Sequence, residues 1–401
     1  MTASIGNRQQ KINFSLILLG NAVLGAPMPM LIILGGLAGV MLAPRAELAI
    51  LPVSLQLLAG MLSAMPLSIF MGKHGRKKGF VLGAVMAGLG GILGLYSLFY
   101  TSFSLLCLAH GLLGAALSCF GFFRFAAAEV VAEQWRPTAI SFTLGSGLIA
   151  AIIGPEIFVF SKDYFDPIPF AGAYGAISLI SLVGCLPVLA LVIPTSATAK
   201  TDFVQEKIAA SSILRRQPVY TAIFCAAISF GVMVLLMAPT PLAMTLCGFS
   251  ETQASDVIRW HVVAMFAPSF FTGSLVSRFG SSRVVFLGLV LLAVSGAIAL
   301  AGIELEHFYL SLILLGLGWN FGFIGATNML SENLAPEERS VVQGLNDTLV
   351  ALVATLASFG SGVLISTFDW AAVVVAAFPM IFLAGLMLYI LRKSVVLLKP
   401  V

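Results

Sequence analysis

The residues of this chain that could do chemistry are few, and most stand inside apolar runs. An ionisable group in such a run is costly in hydrocarbon and marks a functional candidate. At about 1.5 Å per helical residue, Glu156 lies roughly 6 Å inside the outer end of its run and Asp347 roughly 9 Å inside the inner end of its own. Desolvated carboxyls exchange protons near neutral pH, so either could carry a coupling proton. His110, in the string Leu106-x3-His110-x2-Leu113-Gly114, is a third titratable candidate, with a packed histidine as its alternative. Arg124, near an inner run end, either attracts an anionic group on a solute or snorkels to the surface. Trp319 and Asn320 stand in mid-run between Gly318 and Gly322, with Asn328 about two turns further on. Trp135, Trp260 and Trp370 fall at run ends, where tryptophan is ordinary. An aromatic face beside amides suits a planar or amphipathic organic solute, and packing between helices is the alternative.

A second constellation lies in the loops. Glu129 precedes Arg136 by the same spacing that separates Glu332 from Arg339, and the two pairs are 203 residues apart. The loop Gly72-Lys73-His74-Gly75-Arg76 is echoed by Gly273 to Gly280, which holds Ser277 and Arg278, with Gly75 and Gly280 205 residues apart. Charge-assisted pairs among Lys73, Arg76, Glu129, Arg136, Arg278, Glu332 and Arg339 would close a cytoplasmic mouth in one state and separate in another. Positive-side anchoring with solvated carboxylates is the alternative reading. Two signals recurring at nearly one offset argue for an internal duplication.

These groups must be positioned by membrane helices. With 59% hydrophobic and 9% charged residues in 401, the chain has more apolar surface than a water-soluble core can hide. Runs of about 20 residues suffice to span hydrocarbon as helices. The polar punctuation cuts the chain into spans near 14–42, 48–71, 80–99, 103–128, 138–160 and 170–193, then 219–247, 257–276, 284–303, 308–330, 341–367 and 371–391. The expected fold is therefore all-α and integral to the membrane, with twelve spans in two pseudo-symmetric six-helix bundles. The bundles take residues 1–193 and 219–401, joined by a cytoplasmic linker, 194–218, in which Val204 to Leu214 is amphipathic. Pro27 and Pro29 are expected to kink the long first run. That run reads as a span, not a removable signal peptide.

Orientation follows from basic residues, which stay inside. With the N-terminus inside, only Arg45, Lys162 and Arg259 of the 21 Lys and Arg fall on the outer side. Both termini are then cytoplasmic, and the net charge of +4 is an orientation device that needs no nucleic acid. The five cysteines show no paired metal-ligand spacing and read as small hydrophobes. Gly90-x3-Gly94 and Gly318-x3-Gly322 have the spacing of close helix packing.

The loop beginning at Gly72 resembles the signature loop of the major facilitator superfamily, and Gly273 to Gly280 resembles its weaker second copy. The paired Glu-x6-Arg elements are similar to those after spans 4 and 10 in the family's sugar-porter branch. Two departures are visible: Gly72 and Ser277 stand where the family usually has Asp. Gly154-Pro155-Glu156 resembles the core of the span-5 motif of its drug exporters, without the Gly-Gly that normally follows, which leans away from export. The resemblance implies a central cavity lined by spans 1, 4, 7 and 10, with Asn21, Arg124, Trp319, Asn320 and Asn328 as its candidate residues.

The expected activity is secondary active transport of a small organic solute by alternating access, coupled to protons and leaning to uptake of a vitamin-like metabolite. Drug or metabolite efflux by proton antiport is the alternative, and a non-transporting membrane sensor is the alternative of another class. There is no Gly-x4-Gly-Lys-Ser/Thr phosphate loop and no histidine cluster among the four histidines, so no cofactor, metal or enzymatic step is expected. The expected partners are the solute, protons and membrane lipids, with no nucleic acid, for a monomer in the bacterial inner membrane.

Overall fold

Hydrocarbon offers the backbone no water, so each apolar run closes its N–H and C=O groups on itself as a helix. The computed structural model describes residues 7–132, 135–192, 213–335 and 338–397, and every regular element among them is helical. Ten helices or runs of consecutive helices among the described residues are long and apolar enough to cross a membrane. The pair Glu251–Phe266 and Ser269–Phe279, bent by 42°, is long and apolar enough to be counted as a further span when taken together. The helix Arg136–Ser161, with its apolar stretch Gly145–Ser161, fills the remaining place, so the twelve runs appear as helices in the expected order.

Several spans are broken, and the breaks have chemical causes. Span 1 is two helices, Asn7–Gly25 and Pro27–Leu42; Pro27 opens the second, where its missing N–H costs nothing. Span 7 divides into Gln217–Met237 and Thr240–Leu246 around Pro239 and Pro241. Span 8 starts at Glu251 and breaks at Ala267-Pro268, where the sequence suggested one shorter run. Span 10 runs as Leu305–Trp319, a π-turn over Asn320–Ile324, and Gly325–Glu332.

The chain divides into two compact units, Met1–Val204 with Glu251–Arg259, and Gln205–Ser250 with Trp260–Val401. The stretch Glu251–Arg259 thus clusters with the first unit, although the sequence counts it with the second half. Most of the expected linker and of its amphipathic piece lies outside the described residues. In the first unit span 1 packs against spans 5 and 6, and span 3 against spans 4 and 6; in the second, span 7 packs against spans 11 and 12, and span 9 against spans 10 and 12. The same pairings in the same order are what a duplicated unit produces.

Two glycines carry the repeat into the backbone itself. Gly75 (φ 90°, ψ 153°) and Gly280 (φ 86°, ψ 147°) end spans 2 and 8 in one conformation, a region closed to residues with a Cβ. Elsewhere glycine permits backbone approach inside a unit. A Cβ on Gly288 would overlap the backbone of Gly322, and one on Gly94 would overlap the Tyr174 ring. Gly288→Val is accordingly expected to destabilise the protein by about 1–3 kcal/mol. Gly344→Ala, whose new methyl meets nothing within 4 Å, should leave the melting temperature unchanged or slightly raised. Thermal unfolding of the purified protein in detergent micelles measures both.

Candidate functional site

Trp319 is the last residue before the π-turn, and three spans bring rings to it. The Phe323 ring stacks on it at 5.4 Å with 10° between planes, while Phe230 from span 7 and Phe266 from the end of the first span-8 helix meet it edge-on at 5.7 and 6.1 Å. Phe230 and Phe323 also touch each other edge-on at 5.4 Å. Offset and edge-to-face contacts of this kind contribute about 0.5–1.5 kcal/mol per pair beyond area burial. Trp319 is buried and the three phenylalanines are half-buried around it. Two polar groups at this nest are unspent: among the described residues neither the Trp319 indole N–H nor the buried Ser229 hydroxyl has a hydrogen-bond partner. Ser229 adjoins Phe230 and faces Gly322 of the π-turn, where a Cβ would crowd its Oγ. A buried donor without an acceptor is costly, and a heteroaromatic solute with ring oxygens or nitrogens would supply one.

Asn320 does not share that freedom. Its Nδ2 donates to the Met265 carbonyl at 2.6 Å and to Ser269 Oγ at 2.7 Å, and its Oδ1 accepts from Thr272 Oγ1 at 2.6 Å. The amide is used within the second unit. Asn21 likewise donates to the Thr143 carbonyl and to Ser146 Oγ at 2.9 and 2.8 Å, joining span 1 to span 5. Asn328 donates to the Ile324 carbonyl one turn back at 2.8 Å. Arg124 is exposed and lies over the Phe125 ring at 4.8 Å.

Of the titratable candidates, His110 is fully buried in the first unit. Its Nδ1 is 2.9 Å from Gln56 Oε1 and its Nε2 is 2.7 Å from the Tyr174 hydroxyl. The amide oxygen can only accept, so Nδ1 donates to it. This network ties spans 2, 4 and 6 through side chains that no local pattern connects. Glu156 is well exposed and ion-paired: the Arg259 guanidinium meets it at 2.5 Å and also holds Asp256 at 2.8 Å. Lys162 meets Asp163 at 2.7 Å and Glu251 at 3.6 Å nearby. Partial burial, which lowers the Lys162 pKa, is outweighed there by the two carboxylates, leaving it raised. Asp347 is exposed on the helix Arg339–Thr367 and accepts from the Asn346 amide at 3.1 Å.

Among the described loop residues, links form inside each unit. Arg76 binds Glu129 through Nε and Nη2 at 3.1 and 2.7 Å. Arg278 does not reach Glu332; it lies over the Phe279 ring at 5.3 Å. Glu332 instead accepts from Ser281 Oγ at 2.7 Å, and Ser281 follows Gly280 as Arg76 follows Gly75. Lys73 is exposed in the last turn of span 2. The side chains of Arg136 and Arg339 lie outside the described residues.

The sequence did not single out the pair of Arg216, ahead of span 7, with Glu338, ahead of span 11, at 2.9 and 2.6 Å. The Arg216 hydrogen bond, with a further one from the Ala335 N–H, holds the Glu338 carboxyl below its ordinary range. A depressed carboxyl pKa contributes stability that is present above the unfolded pKa and lost as pH falls through the folded one. Glu338→Gln should therefore lower the melting temperature at pH 7. The gap to the unsubstituted protein should close as the pH falls below 4.5, the carboxyl's ordinary value, in a pH series of melting curves.

Residues 241–400 match the Major Facilitator Superfamily model. The chain is 35% identical over 389 residues to the riboflavin transporter RfnT of Brucella anthropi, spanning 97% of this chain and 96% of that one. It is 28% identical over 363 residues to the MFS-type transporter YddS of Bacillus subtilis, spanning 86% of this chain and 82% of the other. Its fold is similar to the crystal structure of the nucleoside transporter NupG, with a TM-score of 0.68 at 16% identity, covering 94% of this chain and 98% of NupG. With this relationship along nearly its whole length and this helical architecture, the chain belongs to the major facilitator superfamily, as a multi-pass membrane transporter of a small solute.

Proposed function

We propose that the solute is a vitamin-like metabolite with a planar heteroaromatic ring of the flavin kind, taken up across the bacterial inner membrane by proton-coupled alternating access, with both chain termini cytoplasmic. The observation that carries this reading is the nest around Trp319: rings from three spans with two buried donors unspent. A flavin ring offers both an aromatic face and carbonyl acceptors to such a nest. The 35% identity to a protein named a riboflavin transporter supports the same class. The orientation is supported by basic residues kept almost wholly to one side. For the proton, Glu156 is the best-supported of the three candidates with His110 and Asp347: its protonation would release Arg259, a change of charge at a contact that transport can make and break.

The test uses purified protein in liposomes with an imposed pH gradient and riboflavin outside. Saturable accumulation is expected, driven by an acidic exterior and lost with a protonophore. Trp319→Ala should lower kcat/KM about tenfold or more, and Glu156→Gln should remove the response to the gradient. Flux indifferent to both gradient and protonophore would rule out proton coupling. Absence of riboflavin flux beside transport of another solute would rule out the flavin class.

A further inference from the structure

Asn320 opens the π-turn, is fully buried, and links that turn to the break in span 8. Its three partners straddle the break. Met265 lies in the last turn of Glu251–Phe266, whereas Ser269 and Thr272 lie in the first turn of Ser269–Phe279. The last carbonyls of a helix have no intrahelical donor, and Pro268 has no N–H to offer across the gap. In hydrocarbon such a carbonyl needs a partner from the protein itself. Asn320 serves this one while engaging the two hydroxyl side chains beyond the break, with both amide hydrogens and the amide oxygen used.

The same two backbone stretches carry the rings. Phe266 is the last residue of the first span-8 helix, Trp319 is the residue before Asn320, and the two meet edge-on at 6.1 Å. Phe323 lies within the π-turn that Asn320 opens and stacks face-on against Trp319. We propose that Asn320 is a positioning residue. By clamping both sides of the span-8 break to the π-turn, it fixes Trp319 and Phe266 relative to each other as the solute platform. The binding consequence rests on the proposed flavin solute; the clamp itself does not.

The test starts from protein in which Trp135, Trp260 and Trp370 are replaced by Phe, leaving Trp319 as the sole tryptophan of the original 4. Acrylamide quenching of Trp319 reads the clamp without any solute, and titration with riboflavin reads the platform. Asn320→Leu keeps volume and removes all three hydrogen bonds; Thr272→Val and Ser269→Ala each remove one. Asn320→Leu is expected to raise the quenching constant at least about twofold and weaken riboflavin binding about tenfold, with KM changing more than kcat. Thr272→Val should move both in the same direction by about two- to fivefold. Adding Asn320→Leu to Trp319→Phe should cost little further affinity, because the first acts through the second. Unchanged quenching in folded Asn320→Leu and Thr272→Val would overturn the proposal; should Asn320→Leu fail to fold, Thr272→Val and Ser269→Ala decide it alone. Raised quenching in a protein whose parent binds no riboflavin would uphold the clamp and overturn the flavin reading.

Discussion

A backbone in hydrocarbon has nothing but itself and nearby side chains to bond with, and most of the polar groups in this protein are placed by that constraint. Continuous helix meets it without help. Where a span breaks, carbonyls and amides fall free and side chains must take them up. Hydroxyls fold back one turn onto carbonyls throughout the spans, as Ser54 does to Ile50, Thr143 to Ala139 and Thr355 to Ala351. Thr240, at the span-7 break, bonds the Leu236 carbonyl, and Asn320 bonds the carbonyl left at the span-8 break. Much of the small polar inventory is thus consumed by scaffold. Among the described residues Trp319 and Ser229 each keep a buried polar atom without a partner, whereas their polar neighbour Asn320 has all of its amide engaged.

The two units meet a second constraint in parallel. Each carries an acid at the end of its fourth helix and a loop glycine in the same left-handed conformation, and each acid is held by the residue after that glycine. In the first unit the holder is Arg76 and the link is an ion pair; in the second it is Ser281 and the link is a hydroxyl hydrogen bond. A partly exposed ion pair is worth only about 0–1 kcal/mol. Links this weak hold a loop without locking it, as a transporter that must change shape requires. The two links share a position and differ in chemistry.

The spans, the repeat and the mid-run oddity of Trp319 were legible in the sequence because each is a local signal: length of apolar run, spacing of like residues, an aromatic away from an interface. What surrounds Trp319 was not legible. Phe230, Phe266 and Phe323 are three of 30 phenylalanines, and nothing local distinguishes them from exposed rings such as Phe160 or Phe382. Gln56 and Tyr174 lie 54 and 64 residues from His110. For Asn320 the sequence reports a polar group in mid-span and not the partners that engage it, Met265, Ser269 and Thr272. Two signals were present: Pro268 marked the break in span 8, and Arg259 stood among the three outer-side cations, where an unusual charge invites the search for a partner such as Glu156.

The separation of spent from unspent groups bears on how such a site would choose its solute. An apolar nest distinguishes ligands weakly when they differ by a methylene, at about 1–3 kcal/mol. It distinguishes them strongly when one leaves a buried donor unpaired, since the desolvation cost of that donor is then uncompensated. In the proposed site the rings of Phe230, Phe266 and Phe323 would supply the first, permissive kind of recognition. On the same proposal the Trp319 N–H and the Ser229 O–H would supply the second, both being buried without a partner among the described residues. A solute bearing acceptors at those two points would relieve that cost, whereas a carbocyclic ring of the same outline would not. Selectivity in such a nest lies in two hydrogen atoms more than in its aromatic bulk.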